Sequence, residues 1–207
     1  MTHIGTVRHG ISEWPLFWSR YAPHRPALLY EDRTISWAEL EDRASRIAGG
    51  LRRAGVRKGD RVGFLALNAP EFFEVLIGCA RIGAIFVPFN IRLTAAEVEA
   101  MAEDAELSVF ISETHFASHV DIVAKQLPAE ALFFLDTPPE GGRSYTELLG
   151  DPVRDPSEVT LDDVAIFSFT SGTTGRSKAA MITHGNCAAV AIAVVNADGI
   201  DPSDRIV

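Results

Sequence analysis

The stretch "RVGFLALNAPEFFEVLIGCARIGAIFVPF" (61–89) decides the fold. Its opening, 61–67, is a continuous apolar run of buried-strand length. A proline at 70 then stands near the start of a helical pattern, 69–83, and "AIFVPF" (84–89) returns to a strand. Nearly solid apolar strands on either side of a helix indicate a parallel sheet covered on both faces.

The same alternation continues outward in both directions. Upstream, "ALLYEDRTISWAEL" (27–40) holds two short apolar runs around Glu31-Asp32-Arg33, which predicts a small hairpin near residues 27–37. Ser36 is placed as an N-cap with Glu39 completing a capping box. The helix that follows runs to Ala54, with Leu40, Ala44, Ile47, Ala48 and Leu51 at helical spacing, and Gly55 closes it. Downstream, Thr94 and Glu97 repeat the capping box ahead of a strand at "SVFIS" (108–112). A helix around 115–127 and a strand at "ALFFLD" (131–136) come next. The Pro- and Gly-rich segment 137–163 reads as a surface excursion with one short helix near Ser144–Leu149, and Val164–Phe167 as a last strand. The expected fold is α/β: a mostly parallel sheet flanked by helices on both faces, with the small hairpin near residues 27–37.

Hydrophobic residues make up 47% and charged residues 23%, the balance of a globular protein. A net charge of −9 argues against nucleic acid as a partner, since phosphate backbones select basic patches. Cys79 and Cys187 lie far apart in apolar patterns and suit buried free thiols. The N-terminus lacks a signal-peptide pattern, and the longest apolar run, 187–195, falls short of the ~20 residues of a membrane span. Cytoplasmic residence is the expectation.

The chemistry concentrates in "FTSGTTGRSK" (169–178). Strands of a parallel sheet deliver their C-terminal ends to the ligand edge, so a loop after Phe167 is well placed. Gly172 and Gly175 permit the backbone turns of an anion-binding nest, and Thr170, Ser171, Thr173 and Thr174 add hydroxyl donors. Lys178 contributes a positive charge. Composition alone leaves a solvated turn open; the strand before, the lysine and the helix beyond tilt the reading to phosphate. Two residues separate Gly175 from Lys178 and no hydroxyl follows it, so a Walker loop is excluded.

At "FTSGTTGRSKAAMITHGN" (169–186) the chain resembles the adenylate-forming superfamily of acyl-CoA synthetases, peptide-synthetase adenylation domains and luciferases. That family's pattern is roughly [Y/F]-T-S-G-T-T-G-x-P-K-G followed by T-H-x-N. Thr170 to Gly175, Lys178, Thr183, His184 and Asn186 match; Ser177 and Ala179 replace the usual proline and glycine. Neither departure removes a phosphate donor, so altered loop dynamics are expected rather than lost binding. The resemblance extends over residues 35–111, and "PFNIRLT" (88–94) favours the acyl-CoA synthetase branch.

The resemblance implies a two-step reaction: a carboxylic acid and ATP form an acyl-adenylate and pyrophosphate, and coenzyme A then takes the acyl group. It implies ATP contacts from Thr170, Ser171, Gly172, Thr173, Thr174, Gly175 and Lys178, and Mg²⁺ near Thr173 or Thr174. For His184 two readings stay equally open: a contact with the loop or its substrate, and a structural residue capping the next helix. Fatty, aromatic and short dicarboxylic acids are all compatible with it. The family's catalytic lysine and its small C-terminal domain are expected beyond Val207, so residues 1–207 are expected to be the truncated N-terminal part of an AMP-binding domain, inactive alone. An exposed sheet edge then predicts self-association. Two alternatives stay open: a non-catalytic binding or assembly module that keeps the fold, and another phosphate-handling enzyme such as a kinase.

Other residues carry plainer expectations. His115 and His119 share a helical face without a third metal ligand and read as a solvated pair. Trp14, Trp18 and Trp37 suit core and hairpin contacts, and Arg43, Arg46, Arg52, Arg53 and Arg57 a charged surface.

Overall fold

The computed structural model describes residues 8–156, 158–170, 178–201 and 204–205. Its first part runs α1 (Glu13–Tyr21), β1 (Pro26–Tyr30), β2 (Arg33–Ser36), α2 (Trp37–Arg53), β3 (Arg61–Leu65), α3 (Pro70–Ile82) and β4 (Ile85–Pro88). Then come α4 (Ala95–Ala105), β5 (Leu107–Ser112), α5 (Ala117–Val123), β6 (Leu132–Phe134), β7 (Arg143–Ser144), β8 (Val164–Thr170), β9 (Lys178–Thr183) and α6 (His184–Asp198). Strands β1 and β2 form the expected antiparallel hairpin. The other seven form one sheet in the order β7-β6-β5-β3-β4-β8-β9, parallel throughout except between β8 and β9.

Alternation along the strands explains why they are apolar on both faces. Val62, Phe64, Phe86, Val109, Ile111 and Phe133 point to one side, where they pack with Ile47 and Leu51 of α2 and with Val75 and Cys79 of α3. Leu65, Ile85, Val87, Phe110, Leu132 and Phe134 point to the other, against Val98 and Met101 of α4 and Val120 and Val123 of α5. Each face therefore has its own core, as a doubly covered sheet requires.

The predicted caps are in place. Ser36 Oγ accepts from Glu39 N at 3.2 Å while Glu39 accepts from Ser36 N at 2.8 Å, and Thr94 and Glu97 repeat the exchange at 3.3 and 2.7 Å. The proline at the start of α3 and the left-handed Gly83 at its end (φ +73°) bound that helix. The helix read around 115–127 is shorter: a 3-10 turn over Thr114–Phe116 leads into α5.

Two features depart from the sequence expectations. The excursion at 137–163 is a strap pressed against α2. Gly150 N and Val153 N donate to Arg46 O and Ser45 O at 3.0 and 2.8 Å, and Tyr145, Leu148 and Val159 are buried. The approach is close enough that a Cβ on Gly50 would lie 1.6 Å from Leu148 O. Secondly, Arg43 is drawn into the protein: its Nε sits 2.5 Å from Glu74, whose carboxylate is buried and also accepts from Tyr145 Oη at 2.9 Å. Beside it, Arg81 is fully buried, pairs with both oxygens of Glu41 at 2.9 Å and donates to Ser12 O at 3.0 Å. Such buried pairs are costly to break, because the surviving charge has no water to return to.

Candidate functional site

Strand β8 runs parallel to β4 with Ile166 opposite Phe86, so its last residue, Thr170, reaches the carboxyl edge of the sheet. The chain comes back as β9, antiparallel to β8, with Lys178 opposite Thr170. The hydroxyl-rich segment thus joins the two strands of a hairpin; a strand follows the lysine directly, and the helix expected beyond it is α6, which starts at His184. "KAAMIT" has too few large side chains to show strand periodicity, and its pairing with β8 is what makes it a strand.

Of the predicted phosphate-binding residues, Ser171, Gly172, Thr173, Thr174 and Gly175 lie outside the described residues, as does Ser177. Thr170 and Lys178 are described, and the fold brings them face to face. Thr170 Oγ1 donates to Lys178 O at 3.4 Å, and both residues are exposed. Lys178 makes no ion pair among the described residues. The hairpin neck therefore offers a hydroxyl and an uncommitted cation at the edge of the sheet, a combination suited to an anionic phosphate. For a metal, no group of three or more His, Cys, Asp and Glu side chains is placed to hold an ion among the described residues.

The tail motif resolves into structural work. Thr183 caps α6: its Oγ1 accepts from Asn186 N at 3.1 Å, and Asn186 Oδ1 accepts from Thr183 N at 3.1 Å. The T-x-x-N spacing carried that signal, because it is a capping box with an amide in the carboxylate's place. His184, for which the sequence leaves a substrate contact and a structural role both open, is completely buried. Its Nδ1 accepts from Ile11 N at 3.3 Å, and its backbone N–H donates to Asp163 O at 3.0 Å. Burial lowers the imidazole's pKa, with Asp163 opposing and Lys58 acting in the same sense as burial. Burial on its own raises the Asp163 carboxyl; bonds from Lys58 Nζ at 2.7 Å and Thr160 N at 2.7 Å outweigh it and hold the group below its ordinary range.

The remaining candidates fall into the fabric. His119 Nε2 meets Leu93 O at 3.0 Å and His115 packs edge-on against Phe116. Trp18 stacks on Trp37 with ring centres 6.0 Å apart. Those two rings line a groove of about 970 Å³ between the β1–β2 hairpin and α3; Thr170, Lys178 and His184 do not line it. Cys79 is buried, Cys187 half-buried, and both are free thiols; burial pushes the Cys79 thiol far up. No helix among the described residues is long and apolar enough to cross a membrane.

Comparison with known proteins places this geometry. The sequence model described as AMP-binding enzyme matches residues 17–207. A feruloyl-CoA synthase of Amycolatopsis sp. is 41% identical over 177 residues, covering 86% of this chain and 34% of that protein. An indoleacetate–CoA ligase of Aromatoleum aromaticum is 34% identical over 200 residues, covering 95% of this chain and 39% of its own length. The chain thus spans about a third of the length of these relatives. Among solved structures, a candidate long-chain-fatty-acid CoA ligase from Rhodopseudomonas palustris superposes with a TM-score of 0.88 at 26% identity, covering 97% of this chain and 51% of that one. The o-succinylbenzoate coenzyme A synthetase of Bacillus subtilis, solved with AMP, gives 0.74 at 28% identity over 93% of this chain and 47% of that one.

Proposed function

The chain belongs to the AMP-binding enzyme family, and from that premise we propose that it forms the N-terminal part of an ATP-dependent ligase joining a carboxylic acid to coenzyme A. In this reading a carboxylate oxygen attacks the α-phosphorus of ATP, the bond to pyrophosphate breaks, and the thiol later displaces AMP from the acyl-adenylate. Pyrophosphate departs with negative charge that fixed donors must hold. The observation that carries the reading is the hairpin neck: Thr170 and Lys178 are paired at the carboxyl edge of a parallel sheet, and the lysine has no ion-pair partner among the described residues.

Lys178 supplies charge to the phosphates, Thr170 a hydroxyl, and the residues 171–175 between them the remaining donors. Mg²⁺, when bound with the nucleotide, neutralises phosphate charge; Thr173 and Thr174 offer the hard oxygen donors it accepts. Further polypeptide completes the domain. The outward-facing apolar residues of α6, among them Val190 at 62% exposure and Ile192 at 45%, support this, since they give it a surface to cover.

The test is carboxylate-dependent ATP–pyrophosphate exchange by the protein that carries this chain, with ferulate and indoleacetate as the first acids, chosen from the relatives. Lys178→Ala is expected to weaken ATP use by about 1–3 kcal/mol, as for a lost charged hydrogen-bond partner. An unchanged rate and ATP dependence in that variant would overturn the phosphate role.

A further inference from the structure

In the hairpin that carries Thr170 and Lys178, β8 is held by β4 and packs Val164, Phe167 and Phe169 on the core, whereas β9 has little side-chain packing of its own. Among the described residues β9 is an edge strand paired only with β8, and Lys178 to Met181 are all exposed. Beyond the pairing with β8, the described contacts that fix β9 lie at the opposite end from the ligand edge.

There both arms come together. Asp163, just before β8, accepts at its carbonyl from His184 N at 3.0 Å, and Leu161 O accepts from Gly185 N at 2.8 Å. The imidazole adds a bond that no local element supplies: its Nδ1 accepts from Ile11 N, a residue 173 positions away in sequence. The ring has a tight seat, because a Cβ on Gly10, at φ +100°, would come 2.9 Å from Nδ1 and 3.1 Å from Val159. His9 Nδ1, at 3.1 Å from Val159 O, ties the same turn to the segment that leads into β8.

We infer that His184 is a positioning residue: its ring bolts the base of the β8–β9 hairpin to the Gly10–Ile11 turn and so sets where Thr170 and Lys178 stand at the far end. The role rests on the nucleotide reading above for its purpose, though not for its geometry. At about 3.4 Å per strand residue, Lys178 lies about 20 Å from the ring, so His184 acts through β9 and touches no substrate. The bond needs an unprotonated nitrogen at the Nδ1 position. Asparagine can present an amide oxygen near that point, whereas glutamine reaches nearer the Nε2 position.

The experiment is amide hydrogen exchange on the full-length protein that carries this chain, comparing His184→Asn, His184→Gln and His184→Ala. The expected result is that Asn keeps wild-type exchange along β8 and β9, while Gln speeds it about fivefold, the factor for one lost hydrogen bond. Amides of α2 and β3 stay unchanged in both. Equal loosening by Asn and Gln, or no change in either, overturns the anchor; this comparison stands even if the alanine variant fails to fold. Adding ATP separates the two ideas. Slower exchange at Thr170 and Lys178 with ATP supports the nucleotide reading. No slowing in the wild-type chain, with the Asn–Gln contrast intact, overturns that reading and leaves the anchor in place.

Discussion

Helices α2 and α6 begin alike and end up in different surroundings. Each starts from a reciprocal capping box, Ser36 with Glu39 and Thr183 with Asn186. Yet α2 buries Leu40, Glu41, Ala44, Ser45, Ile47, Ala48, Gly50 and Leu51, whereas α6 buries His184 and Ala188. The cap sets where a helix starts; the distribution of apolar residues around it decides what it packs against. In α2 these form one stripe that meets α3 and the sheet. In α6 they go all round, the composition of a helix enclosed by protein, and the described residues cover only its beginning.

That contrast can be broken by substitution, most severely in the body. Glu41→Ala strands the buried Arg81 guanidinium, and a loss of about 3–5 kcal/mol is expected in denaturant unfolding. A normal midpoint would mean that the pair is not sealed from water. Gly50→Ala drives a methyl into Leu148 O and is expected to cost about 1–3 kcal/mol, despite alanine's better helix propensity. If it stabilises instead, the strap at 145–151 is not the tight cover described here.

The caps sharpen the comparison. Ser36→Ala is expected to lower global stability by about 1 kcal/mol. Thr183→Ala removes the same device from a less embedded helix, so faster amide exchange in α6 is expected with a smaller shift in the global midpoint. Matching global losses would show that α6 unfolds together with the body.

Acid provides a gentler probe. His184 has a lowered pKa in the fold, so below its ordinary value near 6.5 the unfolded chain takes up a proton that the folded chain does not. Stability is therefore expected to fall as pH drops from about 6.5 toward the lowered value, and His184→Asn should flatten that part of the curve. The smallest effect belongs to α6's outer face. Ile192→Ser should change stability by no more than about 0.5 kcal/mol while reducing self-association in sedimentation. A larger destabilisation would mean that the face is already covered.

Most of the fold was legible because its signals are local. A strand apolar on both faces, a proline at a helix start and a capping box are all read within a few residues, and they place β3, α3, β4 and α4 without knowledge of the rest. The loop was equally plain as a sequence. What could not be read were partners far along the chain: Arg81 with Glu41, Arg43 with Glu74, and the strap over α2, which composition suggested lay on the surface.

The sequence by itself determined the covered parallel sheet and the chemical character of the 169–178 segment, since both depend on residue type at short spacing. Only the tertiary structure decided that this segment bridges an antiparallel hairpin, and that His184 turns inward to Ile11. The reason is physical. Strand pairing and burial are settled by whichever distant segment supplies the missing hydrogen-bond partner and excludes water, and at short spacing that partner is invisible.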